Sequence, residues 1–125
     1  IEASPDITGA ISVATVTTAH SLEAKAIVTV TKTGKTARMI SKYRPHCSII
    51  GCSPSAMICR QMNMSWGVTP VLCDEKTNTD ELFAHAVERA EEQNLLQSGD
   101  IIIITAGIPL GISGTTNMLK VTTIE

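Results

Sequence analysis

Two hydroxyl-rich glycine loops hold the residues best suited to binding an anion. The first, Thr31-Lys32-Thr33-Gly34-Lys35-Thr36, offers three hydroxyls, two lysines and a glycine between a short β-branched run and a helical pattern. Unpaired backbone N–H groups at a helix N-terminus carry roughly half a positive charge, so phosphate is the ligand such an arrangement suits. The second, Gly111-Ile112-Ser113-Gly114-Thr115-Thr116, follows another apolar run and adds three more hydroxyls. Its Ser113, Gly114, Thr115 and Thr116 could close over the same ligand. Thr, Lys and Gly are equally the residues of an ordinary capped turn, so pattern alone leaves both readings open. The string Gly34-Lys35-Thr36 is not a nucleotide-binding P-loop, because that motif needs a glycine where Thr29 stands.

No catalytic constellation accompanies these loops. His85, Glu88 and Arg89 share a helix surface and read as an exposed charged face. His46 follows Pro45 in a solvated loop, and His20, near a helix C-terminus, complements the helix dipole. No nucleophile sits in an elbow motif, and the carboxylates lack metal-binding spacing. Cys47, Cys52, Cys59 and Cys73 contain no C-x-x-C pair, and three lie in or beside apolar stretches, so buried, reduced thiols and no metal are expected.

The elements that would position the loops follow from periodicity. Ser4-Pro5-Asp6 reads as a turn and cap for a helix to about Glu23, with an apolar stripe of Ile7, Ala10, Ile11, Ala14 and Leu22. Val13 and Val16 lie off that stripe, which implies a second covered face. Ala26 to Val30 is a buried strand, followed after the first loop by a helix that stops before Pro45. Ser48 to Cys52 repeats the theme, with Ser53 as cap and Pro54 opening a helix to about Met64. A strand from Val68 to Cys73 precedes a helix capped around Asn78 to Asp80, with Glu81 completing a capping box and a stripe of Phe83, Ala86, Val87 and Ala90. Ile101 to Ile104, apolar on both faces, is expected as the central strand. The last strand, from about Asn117 to Thr122, has no room for a crossover helix and must run antiparallel. The expected fold is α/β: a three-layer αβα domain with a mostly parallel five-stranded sheet and an antiparallel last strand.

The 125 residues, 43% hydrophobic, suffice for one domain, taken as 1–125. A net charge of -2 and single Trp, Tyr and Phe residues argue against nucleic acid as a partner. No apolar run approaches the roughly 20 residues that span a bilayer, so no membrane partner and a cytoplasmic location are expected. Ile1 is not a natural start, and the chain is expected to be a fragment.

Longer strings add a resemblance. Ala19 to Lys25, Thr31 to Arg38, Ser41-Lys42-Tyr43-Arg44-Pro45, Trp66-Gly67-Val68-Thr69-Pro70, Ser98-Gly99-Asp100 and Gly111 to Asn117 together resemble the C-terminal domain of pyruvate kinase, in its bacterial form, over essentially the whole chain. The resemblance implies the allosteric and assembly part of an enzyme that converts phosphoenolpyruvate and ADP to pyruvate and ATP in glycolysis. It places the chemistry, with magnesium and potassium, on a catalytic barrel outside this chain, so the fragment itself is expected to be inactive, with no cofactor of its own. The parent is expected to be a tetramer. In members activated by fructose 1,6-bisphosphate, the loop matching Thr31 to Thr36 holds the 6-phosphate and the loop matching Ser113 to Thr116 closes nearby. Animal members place an arginine for the 1-phosphate on the helix before the strand at Ile101, and a gapless count back from Gly99 puts Leu82 there. A monophosphate, AMP or a sugar phosphate such as ribose 5-phosphate, needs only the first loop.

Overall fold

The computed structural model describes residues 7–31, 33–74, 79–106 and 118–124. Nine elements follow one another: α1 (Ile7–Leu22), β1 (Ala26–Val30), α2 (Lys35–Lys42), β2 (Ser48–Ser53), α3 (Ala56–Met62), β3 (Val68–Leu72), α4 (Thr79–Glu92), β4 (Ile101–Ala106) and β5 (Met118–Thr123). The strands form one sheet in the order β3-β2-β1-β4-β5. β1 pairs in parallel with β2 and β4, β2 in parallel with β3, and β5 runs antiparallel to β4. The expected three-layer α/β fold and its antiparallel last strand are present.

Strand alternation sorts the side chains into two cores. Ile27, Ile49 and Ile103 pack with Val16 and Ala19 of α1, Ala37 and Ile40 of α2, and Met62 of α3. On the opposite face Val28, Ile50, Ile102 and Ile104 pack with Leu82, Phe83, Ala86 and Ala90 of α4. Each fully buried Ile stabilises the fold by about 1.5–3 kcal/mol relative to exposure. The close seat of α3 requires Gly51, because a Cβ there would lie 2.6 Å from Met62 Sδ. Pro70 sits in β3, an edge strand, where a missing N–H is tolerated.

Three expectations need correction. The central strand is β1, whereas Ile101 to Ile104 belongs to β4, between β1 and β5. An apolar run covered on both faces marks any interior strand. The face of α1 turned inward carries Ser12, Thr15, Val16 and Ala19, while Ala10, Val13 and Leu22 are exposed. Apolar residues surround this helix almost evenly, so its pattern selects no face, and the small side chains permit close packing instead. Ser53 is the last residue of β2, and its carbonyl accepts from Cys73 N at 3.0 Å. That pairing holds it in the sheet, so Ser55 caps α3, its side chain accepting from Ile58 N. The cap expected at Asn78 lies outside the described residues.

Helix ends set the turns that return the chain to the sheet. Glu23, at φ 51, lets α1 close with a bond from Ala24 N to Ala19 O, and Asn94, at φ 62, does the same for α4 through Leu95 N to Ala90 O. Both have the 6→1 bond of a Schellman stop.

Candidate functional site

Strand order reverses between β1 and β4: β2 and β3 lie on one side of β1, and β4 and β5 on the other. In open α/β sheets the crevice at the carboxyl ends of two such strands is the usual ligand position. The first loop leaves β1 there, and β4 ends beside it at Ala106.

The loop is a tight turn built on Thr31. Thr31 N donates to Cys52 O at 2.9 Å, extending the sheet by one bond. Its side chain turns inward, 8% exposed, and Oγ1 accepts from Gly34 N at 3.0 Å and Thr33 N at 3.3 Å. Thr33 Oγ1 in turn accepts from Lys35 N at 3.3 Å. Gly34 is the N-cap of α2 at φ 80, and it has no side chain to cap with. A Cβ at that position would meet Arg38 NH1 and Met62 Cγ, each at 3.2 Å. The left-handed backbone favours glycine, and a side chain there would also press on Arg38 and Met62.

Thr33 and Lys35 are exposed, while Thr36, like Thr31, is buried. Lys32 and the second-loop residues Ser113, Gly114, Thr115 and Thr116 lie outside the described residues. Arg38 joins the turn: its backbone N donates to Gly34 O at 3.1 Å, and its guanidinium reaches back to Thr33 O at 3.3 Å. Sequence reasoning did not single out Arg38, although its place four residues after Gly34, one helical turn on, was a readable signal. No carboxylate interrupts residues 31–38, which contain Lys32, Lys35 and Arg38. The turn therefore presents cations and the N-terminus of α2 to solvent, a setting that attracts a phosphate.

The other candidates resolve into structural roles. His85 is more enclosed than a solvated face predicts, its side chain 14% exposed, and Nε2 accepts from Asp74 N at 3.0 Å. Arg89 donates through Nε to Leu72 O at 3.1 Å and pairs with Glu92 at 2.6 Å, tying α4 to the end of β3. At the amino end of the sheet His46 N donates to His20 Nε2 at 3.1 Å, and the two rings stack with centroids 4.4 Å apart. These rings, with Glu23, Lys25 and Cys47, line a cleft of about 430 Å³. All four cysteines are free; Cys52 and Cys73 are buried and Cys47 and Cys59 half-buried. Burial pushes the Cys73 thiol up to about 11 and raises Cys52 further. Among the described residues no three His, Cys, Asp or Glu side chains are grouped to hold a metal.

The sequence profile described as "Pyruvate kinase, alpha/beta domain" matches residues 9–122. The chain belongs to the pyruvate kinase family, as its C-terminal α/β domain. A pyruvate kinase of Clostridium acetobutylicum is 49% identical over 115 residues, covering 92% of this chain and 24% of that protein. Pyruvate kinases of Staphylococcus epidermidis and Staphylococcus aureus are 49% and 48% identical, covering 92% of the chain and 20% of each protein. The α/β domain thus spans about a fifth to a quarter of the length of these relatives. Within it Leu82, the position matching a second phosphate ligand by gapless count, is 5% exposed in the α4 core. No helix among the described residues of the domain is long and apolar enough to cross a membrane.

Proposed function

We propose that this domain is the effector-binding and assembly module of a pyruvate kinase, and that the turn from Thr31 to Thr36 binds the phosphate of a small effector. The observation that carries the reading is the cationic, carboxylate-free turn at the N-terminus of α2, beside the point where strand order reverses. Thr33 and the ammonium group of Lys35 contact the phosphate, Arg38 adds a second cation, and Thr31 holds the turn in shape from beneath. Lys32, Ser113, Gly114, Thr115 and Thr116 complete the site. Leu82 contributes no charge, so a monophosphate such as AMP or ribose 5-phosphate is favoured over a bisphosphate.

The parent enzyme transfers phosphate from phosphoenolpyruvate to ADP in the cytoplasm, on a barrel that uses magnesium and potassium. Binding acts by favouring one state of a tetramer over another, and its effect on the parent equals its difference in affinity for the two states. A second reading, a purely structural domain, has its own support: Thr31 Oγ1 already occupies the Thr33 and Gly34 amides, so the turn is satisfied without a ligand. Steady-state kinetics of the parent enzyme separate the two. A lowered KM for phosphoenolpyruvate with AMP or ribose 5-phosphate supports the effector site, and identical curves with and without phosphorylated compounds support the structural role. The isolated chain, given phosphoenolpyruvate, ADP and both metal ions, is expected to show no turnover.

A further inference from the structure

Two residues break the apolar interior of the sheet side by side. Thr29 of β1 and Thr105 of β4 are register partners, both with 0% exposure, and neither hydroxyl oxygen has a hydrogen-bond partner. Ile27 and Ile103, two residues earlier on each strand, point to the face covered by α1, so the threonines point there as well. Neighbouring strands lie about 4.8 Å apart. Side chains at register positions on adjacent strands stand close enough that one water molecule, bonding at about 2.8 Å to each oxygen, can bridge the two hydroxyls.

The helix covering this face of the two strands is polar on its buried side. α1 reverses into β1 across a short turn and so runs antiparallel to it, with Val16 and Ala19 packed in the same core as Ile27 and Ile103. From Ala19 back to Ser12 the helix climbs roughly 10 Å, while the strand climbs roughly 7 Å from Ile27 to Thr29. The span from Thr15 to Ser12 thus lies over the threonine pair, and both residues are fully buried. Thr15 Oγ1 donates to Ile11 O at 2.7 Å, which leaves its lone pairs able to accept. Unsatisfied buried hydroxyls are rare in folded proteins, and internal waters occur where two to four polar groups converge.

We infer that Thr29 and Thr105 hold one ordered water between β1 and β4, beneath α1, with the Thr15 hydroxyl as its third partner. The water joins the two strands just before the ends of β1 and β4, below the point where the first glycine loop departs, and it makes the two threonines a single unit. This inference is independent of the phosphate reading.

The test is a high-resolution crystal structure of the protein, combined with thermal melts of Thr29→Val, Thr105→Val and the double variant. Density for a water within hydrogen-bond distance of both hydroxyls is expected. Each single replacement should lower Tm by stranding the other hydroxyl, and the double variant should recover most of the loss, because valine matches threonine in shape and no polar group remains. A direct hydroxyl-to-hydroxyl bond, an empty gap, or additive Tm shifts would overturn the inference. Should a single variant fail to fold, the wild-type density decides.

Discussion

The two ends of the sheet are lined by basic and polar side chains, yet they differ in what they can attract. At the amino end lies a cleft of about 430 Å³, with His20 and His46 bonded to each other and Glu23 and Lys25 of opposite sign on its walls. At the carboxyl end, the described exposed charges of the turn from Thr31 to Thr36 and its neighbour, Lys35 and Arg38, are both positive. Helix polarity deepens the contrast. Helices alternating with parallel strands direct their positive N-termini to the carboxyl end and their negative C-termini to the amino end. The two ends therefore differ in charge: opposite signs face each other at the amino end, while the described charges of the first turn share one sign.

Substitutions can break this contrast, beginning with the largest effect. Thr31→Val removes the acceptor shared by the Thr33 and Gly34 amides, so a loss of about 1–3 kcal/mol in urea unfolding is expected, together with loss of phosphate binding. Gly34→Ala forces an alanine into the left-handed region against Arg38 and Met62, costing about 1–2 kcal/mol by the same measurement. Lys35→Ala and Arg38→Ala should leave stability within about 0.5 kcal/mol, since both side chains are exposed. Each should weaken phosphate binding several-fold in calorimetry at low salt, with the difference shrinking as salt rises. His20→Ala, at the other end, removes only the bond and the stack with His46. It should cost about 1 kcal/mol or less and leave phosphate affinity unchanged; an equal loss of affinity would erase the distinction between the two ends.

The sequence made the layers legible because strands with strong two-sided burial and helices with a clear stripe, such as Phe83, Ala86 and Ala90, have one way to pack. It failed on α1, whose apolar residues encircle it and whose buried side holds Ser12 and Thr15. The cap of α3 was misplaced by two residues because only the pairing of Ser53 with Cys73 shows how far β2 extends. The first loop was located correctly, but its internal wiring was not readable. Whether a threonine hydroxyl faces solvent or caps its own turn depends on the φ of Gly34 and on the core beneath, which spacing does not encode. The structure shows Thr31 Oγ1 accepting from the Thr33 and Gly34 amides and Arg38 reaching back to Thr33 O, neither of which spacing announces.

The most direct test of the phosphate site is calorimetric titration of the protein with AMP, ribose 5-phosphate, fructose 1,6-bisphosphate and inorganic sulfate, repeated on Thr33→Glu. Thr33 is exposed, so the added carboxylate changes charge at the turn without disturbing the core. Saturable binding of a monophosphate, weakened at least about tenfold in the variant, a difference of about 1.4 kcal/mol, is the predicted result. Equal binding by both proteins would place the phosphate elsewhere and contradict the account.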